Sequence, residues 1–120
     1  MKNSSLGSIA FVLFLVFFST AVAAIVQNEK TVTFKVYGNC PMCVERIQDA
    51  ALENKNVKSA NWDLQTKMLT VVYDEDKVSL QEINQNIANV GHDTETVRAP
   101  DRKYKRLPDC CKYDRPPVKQ

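Results

Sequence analysis

Several ingredients of common catalysts are missing from this 120-residue chain. It has a single histidine, His92, and neither the paired carboxylates nor the Ser/His/Asp set that would mark a hydrolase. Its three glycines, Gly7, Gly38 and Gly91, stand far apart, so no glycine-rich loop can cradle a phosphate. An excess of one charge is lacking too: 16 Lys+Arg meet 14 Asp+Glu, which gives no reason to expect nucleic acid as a partner. No motif for a small-molecule substrate and no internal repeat is present, and the length leaves room for one domain of ordinary size.

What is present begins with a targeting pattern. Met1-Lys2 gives a short positive start, Ile9 to Phe18 is apolar, and Ala21-Val22-Ala23 has the small-x-small form of a cleavage site. Residues 1–24 are therefore expected to be a secretory signal peptide, which implies export, in a bacterium to the periplasm. The alternative is an uncleaved membrane anchor, since the apolar stretch approaches the roughly 20 residues that span a bilayer. Polar Ser19-Thr20 and the small residues after it favour cleavage. No cysteine stands at the cleavage point, so lipid attachment is not indicated. Residues 25–30 read as a linker. Export also colours the reading of the four cysteines, because thiols outside the cytoplasm tend to oxidise and oxidation competes with metal at the same sulfurs.

The centre of the chain is Tyr37-Gly38-Asn39-Cys40-Pro41-Met42-Cys43, which places two thiols three positions apart where an extended run gives way to a helical one. Thiolates are the preferred ligands of soft metal ions, and two on a turn into a helix can close on one ion with little rearrangement. Unpaired N–H groups and the positive dipole end at a helix start favour the anionic sulfur. A C-x-x-C pair alone also serves thiol–disulfide exchange and half of many zinc sites.

Around this pair the elements follow in order. Thr31 to Tyr37 alternates, with Val32, Phe34 and Val36 on one face, as a half-buried strand does. From Pro41 to about Asn54, Val44, Ile47, Ala50 and Ala51 form the apolar stripe of a helix, and Pro41 suits its first turn. Val57 to Leu64 and Lys67 to Tyr73 read as a β-hairpin. Asp74 to Lys77 is a solvated turn, and Ser79 to Glu82 matches a capping box. A second helix follows with Leu80, Ile83, Ile87 and Val90 on one side and Gly91 as its stop. His92 to Val97 is expected to be a last strand. The order β-α-β-β-α-β predicts an α+β, ferredoxin-like fold over residues 31–98: a four-stranded antiparallel sheet with two helices on one face. Residues 99–120 fit none of it. Four prolines and seven basic residues against three acidic ones predict an extended basic tail, after a domain with eight basic and eleven acidic residues from Ile25 to Arg98. Tyr104, Leu107, Cys110-Cys111 and Tyr113 in that tail could dock it.

At this point the sequence resembles the heavy-metal-associated domain family, which includes copper chaperones, N-terminal modules of copper-transporting P-type ATPases and periplasmic mercury-binding proteins. The carriers are Cys40-x-x-Cys43 after the first strand, Val57 opening the second and Val71 with the acidic turn Asp74-Glu75-Asp76 behind the third. Ile87-x-x-Val90-Gly91-His92 leads into the fourth. The resemblance implies a domain that binds Cu(I), or Hg(II) or Zn(II), through Cys40 and Cys43 near the surface. It hands the ion to a metal-transporting ATPase or another metal-binding protein, with an ion-bridged homodimer as a further assembly. Members usually carry Gly-Met-Thr or Gly-Met-Ser before the first cysteine, where this chain has Tyr37-Gly38-Asn39. Met42 is a weaker thioether donor and more often a filler of gaps. His92 occupies the loop where bacterial members often have Tyr near the thiolates, so it is either a third ligand or second-layer support, or a loop histidine. Cys110 and Cys111 lie outside the family pattern. Either could reach back as a further ligand or pair with Cys40 or Cys43, or the two could form a vicinal disulfide, serve a partner as a redox pair or sit in a free tail.

Three functions remain open on the sequence. The first is a non-catalytic exported metal chaperone or scavenger, in which a partner thiolate attacks the bound ion and takes it through a three-coordinate intermediate. The second is a thiol oxidoreductase with Cys40 as nucleophile and Cys43 as resolving thiol. Against it, no proline follows Pro41 until Pro100, so the domain lacks the cis-proline such enzymes set against the active pair. The third is a binding module with a structural Cys40–Cys43 disulfide, although so short a loop gains little from one.

Overall fold

Strand β1, Glu29–Lys35, turns Phe34 into the core and its odd-numbered residues toward solvent, the alternation of a half-buried strand. The computed structural model describes residues 28–118, so the expected signal peptide and the first half of the expected linker lie outside the described residues. Among the described residues no helix is long and apolar enough to cross a membrane.

β1 is followed by helix α1, Pro41–Ala51, then strands β2, Val57–Trp62, and β3, Met68–Asp74, and helix α2, Leu80–Asn89. β3 is the middle strand, antiparallel to β1 on one side and β2 on the other, with Phe34 opposite Leu69 and Trp62 opposite Leu69 from the other edge. The β2–β3 hairpin is closed by Asp63, whose carboxylate accepts from the backbone N–H groups of Gln65 and Thr66, both at 2.8 Å.

Both helices bury the faces their periodicity marks. α1 contributes Cys43, Ile47, Ala50 and Ala51, and α2 contributes Ile83, Ile87 and Ala88, against Phe34, Val36, Leu69, Val71 and Tyr73. Pro41 stands at the first turn of α1, and the Ser79 hydroxyl accepts from Glu82 N–H at 3.1 Å to start α2. Gly91 ends α2 with φ of 102°, the left-handed region that a side chain resists. The layers are those of the α+β, ferredoxin-like fold.

The last strand is the exception. Instead of a strand over His92 to Val97, a single antiparallel bridge joins Val36 to Thr94, held by Tyr37 N–H to the Asp93 carbonyl and Glu95 N–H to the Lys35 carbonyl, both 2.9 Å. The described sheet is therefore three-stranded with this one-residue rung beside β1. The cause is local: the Thr94 hydroxyl accepts from Val97 N–H at 3.0 Å, and Thr94 N–H donates to the Val97 carbonyl at 2.8 Å. Such side-chain and turn bonds compete with a ladder and bend the chain away.

Nor is the segment after Ala99 a plain extended tail. It forms a short helix α3, Asp101–Lys105, and a 3-10 turn, Asp109–Cys111, and it places Leu107, Cys111 and Tyr113 in the hydrophobic core. A Cβ on Gly91 would stand 2.8 Å from the Lys103 carbonyl and 3.0 Å from Leu107 Cδ2. The residue that stops α2 is thus also the seat of the tail.

Candidate metal centre

The loop from β1 to α1 lies flat on Trp62. A Cβ on Gly38 would meet Trp62 Cη2 at 2.8 Å and Cys43 Cβ at 3.1 Å, so only glycine lets the loop descend this far. Trp62 Nε1–H donates to the Val36 carbonyl at 3.0 Å and fixes the strand end from which the loop leaves. Cys40 then takes the extended N-cap position of α1, and Cys43 enters the third helical position with its side chain buried. The Cys43 sulfur accepts from Asn39 N–H at 3.4 Å and Cys40 N–H at 3.5 Å, and lies 3.6 Å from the Cys40 sulfur.

The tail delivers two more sulfurs to the same point. Cys40 Sγ is 3.4 Å from Cys110 Sγ and 3.3 Å from Cys111 Sγ. Cys110 in turn lies 3.6 Å from the Met42 thioether, which is otherwise exposed. All four cysteines are free thiols. Among the described residues, the group of three metal-ligating atoms that all lie within 4.8 Å of one another is that of Cys40, Cys110 and Cys111.

The electrostatics single out Cys40. Partial burial opposes its ionisation, but hydrogen bonds from Cys111, Cys110 and Cys43 outweigh that and bring its pKa down to about 7. Contact with the Cys40 sulfur pushes the Cys110 thiol up, and Cys111 is pushed up by burial first and then by the neighbouring Cys43 and Cys40 sulfurs. In metal-free, reduced protein, iodoacetamide is therefore expected to modify Cys40 first. The rate should rise through about pH 7, where an ordinary thiol is only a few per cent ionised. Peptide mapping after brief alkylation reads this directly, and equal labelling of Cys40 and the more exposed Cys110 at neutral pH would contradict it.

His92 is not brought to the sulfurs. It is fully buried, its Nδ1–H donates to the Tyr37 carbonyl at 2.7 Å, and its ring stacks on Tyr113 at 5.8 Å between centroids. A carbonyl only accepts, so the proton sits on Nδ1 and Nε2 is left bare, with no hydrogen-bond partner. Burial pushes the imidazole pKa down and keeps it neutral. Its visible work is to hold the loop that carries the cysteines.

Arg115 and Asp93, the pair that anchors the tail, were not singled out by sequence reasoning. Arg115 grips Asp93 with two bonds, Nε to Oδ2 at 2.9 Å and Nη2 to Oδ1 at 2.8 Å, and also reaches the Ala99 carbonyl at 2.6 Å and Asp101 at 2.6 Å. Burial raises the Asp93 pKa, but the guanidinium and the Ala99 N–H more than offset this and hold it below the usual carboxylate value. Tyr113 adds its hydroxyl, which accepts from Asp93 N–H at 2.7 Å and donates to the Gly91 carbonyl at 2.9 Å. Pairs this distant in sequence leave no spacing signal. The one hint was an acidic residue inside an expected strand.

A family model described as heavy-metal-associated domain matches residues 28–93. Among solved structures, the CopZ metallochaperone is 26% identical with a TM-score of 0.52, covering 54% of this chain and 98% of that one. Oxidized MerP from Ralstonia metallidurans CH34 is 25% identical with a TM-score of 0.54, covering 56% of this chain and 94% of that one. The water-soluble region of the P-type ATPase CopA from Bacillus subtilis is 26% identical with a TM-score of 0.53, covering 57% of this chain and 46% of that one. No curated protein sequence matches the chain at a significant level.

Proposed function

Because this chain belongs to the heavy-metal-associated domain family, we propose that it binds Cu(I) as cargo through Cys40 and Cys43 and exchanges it with a metal-transporting ATPase or another metal-binding protein. The observation that carries the reading is the sulfur pair itself, 3.6 Å apart at the head of α1, with Cys40 only half-buried. The donors fit a soft ion. Calcium or magnesium would need a shell of oxygens, which the sulfur cluster does not supply. At a tetrahedral or trigonal ion, sulfurs about 2.3 Å from the metal stand about 3.8–4.0 Å apart, so the pair has to open by only a few tenths of an ångström to admit one in that geometry.

The chemistry is ligand exchange, without turnover. Cys40 at the protein surface is the sulfur an incoming thiolate can reach, while Cys43, held by two backbone N–H groups, is the fixed ligand. Transfer then proceeds by replacing one Cu–S bond at a time, so the ion is never free. The apolar run before residue 25 supports delivery of the domain outside the cytoplasm, where Hg(II) and Zn(II) are the competing cargoes.

Native mass spectrometry of the reduced protein, offered Cu(I), Zn(II) and Hg(II) in turn and in competition, tests the reading. Uptake of Cu(I) in preference to Zn(II), with loss of the ion to an ATPase metal-binding domain added in slight excess, is the expected result. Absence of stoichiometric uptake of any of the three would overturn it. The same spectra show whether one ion bridges two copies of the chain.

A further inference from the structure

The docked tail changes what the site can do. A segment with four prolines has no intrinsic reason to bring adjacent cysteines back to the head of α1, so their position depends on anchors. The structure supplies anchors on both sides of the pair. Before it, Leu107 is buried against Gly91. After it, the Tyr113 hydroxyl is held between Gly91 and Asp93, and Arg115 is clamped on Asp93. The metal loop meets the tail directly as well, because the Asn39 side chain donates to the Lys112 carbonyl at 3.4 Å. Cys110 and Cys111 lie in the turn between these ties, and both reach the Cys40 sulfur.

We propose that the tail is part of the metal site: Cys111 is the third thiolate on the ion bound by Cys40 and Cys43, and Cys110 with Met42 forms an outer sulfur pair over it. The inference rests on the metal-binding reading above and extends it to the ligand set. Burial divides the adjacent cysteines. Cys111 is fully buried with its sulfur 3.3 Å from that of Cys40, which is itself 3.6 Å from the Cys43 sulfur, so Cys40 touches both its loop partner and the buried tail thiol. Cys110 is exposed and touches Cys40 and Met42, on the side from which an incoming group would arrive.

The consequence concerns release. In a two-thiolate site the third position belongs to the incoming thiolate of a partner. Here the chain fills that position itself, so the ion is kept until the tail sulfur is displaced. Displacement exchanges one Cu–S bond for another: the partner thiolate binds Cu(I), the Cys111–Cu bond breaks, and Cys111 leaves as thiolate or takes up a proton from solvent. No oxidant or reductant takes part.

X-ray absorption at the copper edge of the reduced, full-length protein loaded with one Cu(I) reads the ligand count without any substitution. Three sulfurs are expected, and two would overturn the proposal. Competition against a Cu(I) chelator gives the second arm. Cys111→Ser is expected to weaken binding by at least about tenfold and to lower the sulfur count to two, with Cys110→Ser milder. Affinity and ligand count both unchanged in Cys110→Ser/Cys111→Ser would remove the tail from the site while leaving the Cys40/Cys43 reading intact. Stoichiometric binding that survives Cys40→Ser/Cys43→Ser would instead defeat that underlying reading. Because the first arm uses the unaltered protein, poor folding of a buried Cys111 variant cannot shield the proposal.

Discussion

Cu(I) affinity is expected to fall by about two orders of magnitude when Cys40 alone is replaced by serine. A closed thiolate site gains roughly 10–16 kcal/mol, which over four ligands is about 3 kcal/mol each, or about a hundredfold in affinity. Cys40 should reach or exceed this share, because its sulfur touches those of Cys43, Cys110 and Cys111 and links the loop to the tail. The fold should not suffer. Cys40 is the N-cap of α1 with φ of −135° and ψ of 167°, and serine is among the best residues for that position. The expected pattern is lost affinity in a chelator competition with an unchanged or slightly raised thermal midpoint by circular dichroism. Affinity within a few-fold of the parent would show that Cys40 is not the hub of the site.

The second large effect lies away from the sulfurs. Asp93→Asn removes the charge that Arg115 holds, leaving a guanidinium whose side chain is only 13% exposed without its main counter-ion. Breaking a buried pair from one side costs about 3–5 kcal/mol, a large share of the roughly 5–15 kcal/mol that stabilises an ordinary domain. The sign with pH follows from the lowered pKa of Asp93 in the fold. The pair's contribution is complete above the unfolded carboxylate value of about 3.9 and is lost as pH falls through the lower folded value. Urea midpoints measured from about pH 6 down to about pH 2.5 should therefore fall in the parent, while in Asp93→Asn this component should be absent throughout. A variant as stable as the parent near neutral pH would mean that the Arg115 contact adds nothing. The tail should also loosen in the variant, exposing Cys111 to alkylation.

Much of the fold could be read from local patterns, because each signal acts within a few residues. The β1 alternation of Val32 and Phe34, the Ile47 and Ile87 helix faces, the Ser79 cap and the Gly91 stop all stand where the periodicity puts them. The last strand was misread because its composition suits a strand, yet Thr94 spends its hydroxyl on a turn and Asp93 spends its carboxylate on Arg115. Cys40 and Cys43 were legible as neighbours because their spacing on a helix start brings them together whatever surrounds it. His92 could not be assigned, since its role depends on the Tyr37 carbonyl and the Tyr113 ring, both remote in sequence. Cys110 and Cys111 were legible as chemistry but not as geometry: their place is set by Leu107, Tyr113 and Arg115 acting together, through contacts that no short window contains.

The single rung at Thr94 has a bearing on solubility. Beyond it, the outward backbone of β1 at Thr31 and Thr33 has no neighbouring strand among the described residues, which is the arrangement on which extended chains from other molecules can stack. Lys30 and Lys35 flank that stretch, and Thr31 and Thr33 between them are exposed. An ammonium group beside an open margin disfavours a second copy aligned in register; Lys35 supplies such a charge, whereas Lys30 is paired with Glu75 at 3.3 Å.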